Sequence, residues 1–537
     1  MWRNRLSFAS CLRPELLARI FSVLAAIEVP GMPYKDLGWI KVSHVCSYRR
    51  QVALGDARLW TSVVLNNGEK WTQEIILRAK KTPLIIAEHS IDSEETMSVV
   101  RHVAFTHRLQ LMDLQLGGAD EMIASVMQVL TPPMPVLERV KLENTLQWDE
   151  EDLPRLPPDL FGLDAPRLQS AFFRGFIFPW SCSLWRNLSN LSISLPKGTQ
   201  PLSLSEDDFF DGLANMQHLV SLHIDEYFPS SPQPALSTHM RRPVVNFSRL
   251  SHLVLEGSWP ICIIVIGSIQ IPKTSQVHLN FSEFSYNGFH DVLIPFLERH
   301  GGKSGDASPL RTLLIDRRSL YGRLYICGWT SVDAPDPGHI DRFYPPAHNP
   351  SLCLHSAHSP QQTHELYFPE TLRTIVQTLY IQELSALSFE LEVEFPKTYI
   401  STFQVLESAR SLVYRSFIKG ASILVCVVLS SKTITPESRG GQANGHKPDI
   451  LFPKLQYLSL YSRALLTPLP LVKAELTDHQ NQPIQSFIQR ENMQAHVGKF
   501  DLNIWTDHDT LTKEWADQLE SVVPVTVTQR GWGSSKQ

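Results

Sequence analysis

Apolar residues follow two different rhythms along this chain. Near the start, Leu12, Leu16, Leu17, Ile20, Phe21 and Leu24 recur at helical spacing, which predicts an amphipathic helix. Pro14 suits its first turn, where a missing N–H costs nothing. The breakers Pro30, Gly31 and Pro33 end it, and a second helix is predicted over residues 37–54, with Ile40, Val42, Val45, Cys46, Val52 and Ala53 apolar. Leu59 and Trp60 close this segment. A short strand at 63–65, a helix at 71–81 and a strand at 84–87 follow.

After residue 108 a second rhythm takes over: apolar, two variable, apolar, one variable, apolar. It occurs at Leu111, Leu114, Leu116; at Leu137, Val140, Leu142; at Leu168, Ala171, Phe173; at Leu188, Leu191, Ile193; at Leu219, Leu222, Ile224; and at Leu250, Leu253, Leu255. Further copies are Val277 with Leu279, Leu310–Leu313–Ile315, Val376–Leu379–Ile381 and Leu455–Leu458–Leu460. The last two apolar positions of each copy alternate on a short strand and face inward, and the residue between them faces out. One such unit cannot bury its apolar side alone, so neighbours must stack. This is the strand signature of a leucine-rich repeat. The usual Asn or Cys after the strand is mostly missing, and first-position spacings through Leu250 are 26, 31, 20, 31 and 31 residues. An irregular array is therefore expected; unrelated strands in α/β domains are the alternative.

Polar stretches rich in Pro, Ser, Gly or His interrupt the rhythm at 229–243, 301–309, 331–365 and 435–448 and read as insertions. The expected layout is an α/β chain with a helical module at 8–62, a connecting helix and strand at 63–108, and a repeat region at 109–530. Within the last, Pro483, Ile484 and Phe487 suggest a degenerate final repeat, and a helix at 511–519 with a strand at 522–528 suggests a cap.

Composition narrows the function classes. Hydrophobic residues make up 43% and charged residues 19%, which is a folding composition. Forty-nine basic against 54 acidic residues give a net charge of -5, so neither nucleic acid nor an anionic membrane is expected as a partner. Seven cysteines without a CxxC pair argue against a disulfide framework and fit a reducing compartment. No signal peptide is expected, and the most apolar windows, 260–271 and 421–429, are too short to span a bilayer.

Candidate chemistry is thin. Gly301-Gly302-Lys303-Ser304 resembles the end of a phosphate loop, but the required earlier glycine is Leu297. Cys353, His355, His358 and His364 offer soft and imidazole ligands without the paired spacing of a structural zinc site. Asp207 with Asp208, the acidic run 149–152 and Asp507–His508–Asp509 read as solvated charges. No catalytic, cofactor or metal residues are assigned.

The residues from Leu12 to Trp60 resemble an F-box. The match runs through 12–21 (LRPELLARIF), 42–46 (VSHVC), 50–54 (RQVAL) and Leu59-Trp60. Its order and spacing are similar to F-box proteins of mushroom-forming fungi, in which a leucine-rich region often follows. Arg13 stands where the family's usual proline follows the leucine, and Arg49 where it commonly has tryptophan. The resemblance implies a small helical F-box followed by an irregular leucine-rich-repeat solenoid, a curved and mostly parallel sheet with outer helices. It further implies docking on a Skp-family linker subunit of an SCF-type ubiquitin ligase through Leu12, Pro14, Leu16, Ile20, Val45, Cys46 and Trp60. A protein target would then meet the exposed strand positions, exemplified by Gln115, Lys141, Ser192, His223, Val254 and Ser459. Such an adaptor is no enzyme, needs no cofactor and works in the cytoplasm or nucleus. Two alternatives stand beside it: a protein-binding scaffold without ligase activity, and an enzyme whose site residues are scattered in sequence.

Overall fold

The computed structural model describes residues 12–30, 37–65, 68–117, 120–144, 153–196, 204–229, 244–282, 285–302, 308–318, 323–331, 350–357, 368–391 and 406, with four further strands. The expected features at 230–243, 435–448, 483–487 and 511–519 lie outside these residues. The chain is a mixed α/β protein with mostly parallel strands, and it divides into two compact units, Met1–Gln233 with Val245–His252, and Pro234–Val244 with Leu253–Gln537. Among the described residues no helix is long and apolar enough to cross a membrane.

The first unit opens with α1 (Pro14–Ile27), a 3-10 segment (Gly38–His44), α2 (Ser47–Gly55) and a short 3-10 turn (Ala57–Trp60). The helix predicted over 37–54 is thus two pieces. Cys46 is extended (φ -159°, ψ 164°), and Arg50 Nε donates to the Ser43 carbonyl at 2.8 Å, satisfying an acceptor that the broken helix leaves open. There follow α3 (Glu69–Ala79), β1 (Leu84–Ile91), α4 (Glu94–Ala104), β2 (Leu109–Leu116), α5 (Asp120–Val129), β3 (Arg139–Asn144), β4 (Ser170–Arg174), β5 (Asn190–Ser194), α6 (Glu206–Ala214) and β6 (Ser221–Asp225). The strands lie side by side in chain order, all parallel.

A backbone device recurs before the strands that follow β2. The N–H of five successive first-position leucines closes a tight turn onto the carbonyl three residues earlier: Leu137 to Met134, Leu168 to Ala165, Leu188 to Trp185, Leu219 to Met216 and Leu250 to Phe247. Then one carbonyl of the preceding strand accepts two successive N–H groups. Glu138 O takes those of Gln169 and Ser170, Gln169 O those of Ser189 and Asn190, Ser189 O those of Val220 and Ser221, and Val220 O those of Ser251 and His252. Two apolar rows result, Met112–Val140–Ala171–Leu191–Leu222 and Leu114–Leu142–Phe173–Ile193–Ile224, all buried. Burying each large side chain contributes about 1.5–3 kcal/mol.

The register corrects the first copy. Met112 and Leu114, not Leu114 and Leu116, align with Val140 and Leu142, and Leu109 is the buried first position while Leu111 faces outward and is half-buried. Beneath β4 to β6 an aromatic core of Phe173, Phe178, Trp180, Trp185 and Phe209 packs edge-on, tilted or stacked at 4.6–6.0 Å. The Tyr227 hydroxyl accepts from the Phe178 N–H at 2.6 Å inside it. Gly212 on α6 lies so close to Trp180 that an added Cβ would come within 2.8 Å of the indole.

The second unit contains β7 (His252–Gly257), α7 (Trp259–Ser268), β8 (Gln276–Phe281), α8 (Ile294–Gly301), β9 (Thr312–Arg318), β10 (Arg323–Trp329), β11 (Leu352–Ala357), α9 (Phe368–Thr378), β12 (Ala386–Leu391), β13 (Ser411–Ser416), β14 (Tyr457–Ser462), β15 (Lys499–Trp505) and β16 (Val525–Arg530). Its strand order is β7-β8-β11-β10-β9-β12-β13-β14-β15-β16. Here β10 runs antiparallel to both neighbours, while β11 pairs parallel with β8 and β9 parallel with β12. Two expectations are corrected. The stretch 331–365 is not all insertion, because Leu352 and Leu354 alternate inward on β11. Val376, Leu379 and Ile381 are not a strand copy either. With Leu372 and Ile375 they carry the buried side of α9 and the turn after it, and the true copy begins with the buried Leu384 and Leu387. Leu384 makes the same closure onto Ile381, and Arg311 O accepts from Ser385 and Ala386.

His300 on α8 is buried and stacks on Phe296 at 5.8 Å. Desolvation pushes its pKa down to about 4, against smaller opposing contributions from the Ser275 and Pro272 backbones. The unfolded imidazole protonates near 6.5, so as pH falls the unfolded state takes up the proton first and stability is lost between pH 6.5 and 4. The expected loss from pH 7 to pH 5 is about 2 kcal/mol, read as a falling denaturation midpoint, and His300→Phe should flatten that dependence. In the first unit, Gly212→Ala should lower the thermal midpoint by forcing Trp180 out of place, at a cost of about 1–3 kcal/mol.

Candidate docking surface

Two sides of α1 carry apolar residues. Leu17, Ala18 and Phe21 are buried against the module, whereas Leu16, Ile20, Val23 and Ile27 are 51%, 51%, 58% and 73% exposed. The exposed four are spaced by four, three and four residues. At 3.6 residues per turn that places them in one stripe, turned away from the buried side. Arg13 and Arg19, both exposed, flank the stripe. Leu37, Val45 and Leu54 are also exposed, so seven of the twelve exposed large hydrophobics among the described residues fall between Leu16 and Leu54. Scattered apolar residues are ordinary on a surface, but this concentration in a module of about fifty residues makes it the candidate docking surface.

The residues expected to dock divide into two groups. Leu16, Ile20 and Val45 are exposed, as is Pro14 at the first turn of α1. Leu12 and Cys46 are half-buried, and the Leu12 carbonyl accepts from the Tyr48 hydroxyl at 2.7 Å, which ties α2 to the head of α1. Trp60 does not belong to the surface. It is 2% exposed, its ring meets Trp39 edge-on at 5.0 Å, its indole N–H donates to the Ala53 carbonyl at 2.8 Å, and the Arg78 guanidinium sits 4.2 Å over it. An indole so enclosed fastens the module internally and against α3. The next residues extend this attachment: Val63 N–H donates to Ile85 O and Ile85 N–H to Thr61 O, which adds a short parallel bridge beside β1. Gly38 is left-handed (φ 51°) where the 3-10 segment meets the end of α1, and a Cβ there would stand 2.5 Å from the Glu28 carbonyl. Asp56, held below the usual carboxylate range first by its hydrogen bond with Arg58, accepts that residue's backbone and side-chain N–H groups and caps the turn before Trp60. Val23 and Ile27 complete the stripe. The helical spacing carried them, but pooling both apolar sides of α1 into one hid them.

The outward side of the first unit's sheet forms a second surface. Asp113, Lys141, Phe172, Ser192 and His223 lie in register across five strands, all half-buried. Lys141 Nζ is 3.4 Å from Asp113 and 3.7 Å from Glu143, and Arg174 reaches Glu143 at 3.2 Å. Phe172 stands beside this lattice, 5.6 Å from the Lys141 ammonium. Gln115 sits one step further along the strand, opposite Glu143, because of the two-residue register correction at β2. In the second unit, Val254 is a half-buried outward position of β7, and Ser459 lies on β14 opposite Val413 and Asp501.

The candidate chemistries find other uses. Gly301 and Gly302 end α8, and the Gly302 N–H donates to Glu298 O, the opposite helix pole from one that cradles phosphate. Cys353 is bonded to Cys327, and His355 stacks on Tyr325 at 3.9 Å; His358 and His364 lie outside the described residues, as do the acidic groups at 149–152 and 507–509. Among the described residues no group of three His, Cys, Asp or Glu is arranged to hold a metal ion. Asp207 and Asp208 occupy the first turn of α6 behind the Ser205 cap, where acidic side chains favour the helix dipole. Ser192 Oγ and His223 Nδ1 are 3.4 Å apart, long for a nucleophile and its base.

Trp60→Ala should destabilise the module by about 3–5 kcal/mol, whereas Val23→Ala and Ile27→Ala should cost it little. Thermal melts of the three variants check this order, and equal losses would contradict the division into inner and outer sides. No known protein-family profile matches the chain, and no curated protein matches it.

Proposed function

We propose that this chain is a protein-binding adaptor of an SCF-type ubiquitin ligase. Its N-terminal module, an F-box, docks on a Skp-family linker subunit, and the outward face of a leucine-rich-repeat-like array holds a target protein. The observation that carries this reading is the exposed apolar stripe Leu16–Ile20–Val23–Ile27, with Val45, in a module whose sequence resembles an F-box. An amphipathic helix presents such a stripe when a partner's groove covers it. The recurring leucine closure and shared carbonyl support the repeat array, since each strand is built by the same local device. The adaptor breaks no bond; it raises the concentration of the target beside the ligase.

Binding of the purified chain to a recombinant Skp-family linker tests the reading. Leu16→Asp with Ile20→Asp should weaken binding at least about tenfold while leaving the thermal midpoint near that of the wild type, because both side chains are already in solvent. Equal retention of the linker by both proteins would sink the docking assignment.

A further inference from the structure

Of the five described cysteines, Cys46, Cys182 and Cys262 are in no disulfide, and Cys327 is bonded to Cys353. One bridge beside three unbridged cysteines is not the framework of a disulfide-stapled domain. Its placement is specific. Cys327 on β10 and Cys353 on β11 are direct partners in the antiparallel register, with Cα atoms 4.2 Å apart, close to the narrow spacing of such ladders. Both belong to the outward row His278–Cys353–Cys327–Leu314, and both are buried there in a small cluster with Trp329 and Leu314. The strand they secure is β10, the one that runs against its neighbours. In the adjacent row of the same face stand Tyr325 and His355, stacked and in register.

We infer that Cys327 and Cys353 form a reversible dithiol–disulfide switch that sets how firmly β10 is held in the sheet. The ladder already brings the two sulfurs together, so the bond closes and opens without a change of register. A peroxide is small enough to act at such a site during brief opening. One thiolate attacks the peroxide O–O bond, giving a sulfenic acid and one water. The second sulfur displaces the hydroxyl as a second water, so two thiols lose two hydrogens and one peroxide becomes two waters. A dithiol reductant reverses the bond by two exchanges and is itself oxidised. The oxidised pair closes a loop of 26 residues and pins β10 to β11; the reduced pair leaves β10 held by its two ladders and by its buried side chains Leu324, Ile326 and Trp329. The inference is independent of what the N-terminal module binds.

The full chain, cycled between dithiothreitol and stoichiometric hydrogen peroxide, provides the test. Alkylation and peptide mass analysis should show free Cys327 and Cys353 after reduction, and one linked peptide pair, lighter by two hydrogens, after peroxide. Amide hydrogens of residues 323–329 should exchange at least about tenfold faster in the reduced protein, and the thermal midpoint should fall by about 5–10 °C. Cys327→Ala with Cys353→Ala should match the reduced protein and ignore peroxide. The wild-type cycle stands without the variant should the variant fold poorly. Separate alkylation of both thiols after peroxide, a bond that dithiothreitol opens only on unfolding, or identical exchange in both states would each overturn the switch.

Discussion

A parallel strand of five or six residues cannot keep its register by side chains alone, and the first unit depends on one backbone arrangement to supply it. From Leu137 on, each first-position leucine of this unit turns the chain by donating to the carbonyl three residues back, and from β4 on a carbonyl at the start of the previous strand then receives two N–H groups in succession. The turn and the shared acceptor fix where the strand begins relative to its neighbour. From that point the inward pair of apolar residues falls into the common rows regardless of what precedes it. This is why a spacing of 20 residues between Leu168 and Leu188 and one of 31 between Leu188 and Leu219 produce the same pairing. Spacer length is free because the register is decided in the last few residues before each strand. The variable spacers then accommodate very different fillings, such as the aromatic core beneath β4 to β6.

The same arrangement explains what was legible in the sequence. Wherever the spaced leucines have polar surroundings, as at Leu188–Leu191–Ile193 and Leu219–Leu222–Ile224, strand and register follow directly from the pattern. At β2 the apolar set Leu109, Leu111, Met112, Leu114 and Leu116 satisfies the pattern in two frames, and only the neighbour's register separates them. Near residue 376 two patterns overlap: Leu372, Ile375, Val376 and Leu379 serve a helix, and Leu384 starts the strand. The reversed insertion of β10 was not legible, because an apolar alternation carries no strand direction. The bond between Cys327 and Cys353 follows from that reversal and was equally hidden.

In the N-terminal module the limit lies elsewhere. The F-box resemblance places Trp60 on the docking surface, but a motif position does not tell the inner from the outer side of a small module, and its hydrogen bond to Ala53 and the Arg78 cation above it are long-range facts. Its burial changes what the module can do. With Trp60 inside and the Thr61–Val63 segment bridged to Ile85, the module is joined to the first strand without a linker. Under the adaptor proposal, a partner bound on α1 is held at a defined place relative to β1. Proximity by a stiff connection restricts the orientations in which a second partner can be presented.

That stiffness bears on the outward sheet face within the same unit. Asp113, Lys141, Glu143 and Arg174 already neutralise one another, and such half-exposed pairs contribute only about 0–1 kcal/mol each to folding. Under the adaptor proposal their weight falls on recognition instead. A partner that covers them must replace the lost hydration with matching polar groups, and a mismatched one leaves charges desolvated and uncompensated. Phe172, at the middle of the row, offers the apolar area from which affinity can be drawn, while the hydroxyl of Ser192 and the ring of His223 extend the row without adding fixed charge. Under the adaptor proposal, attraction and discrimination are thus supplied by different residues of one face. Phe172 acts on any apolar side chain that reaches it, and the charge lattice selects which partner can bring one there.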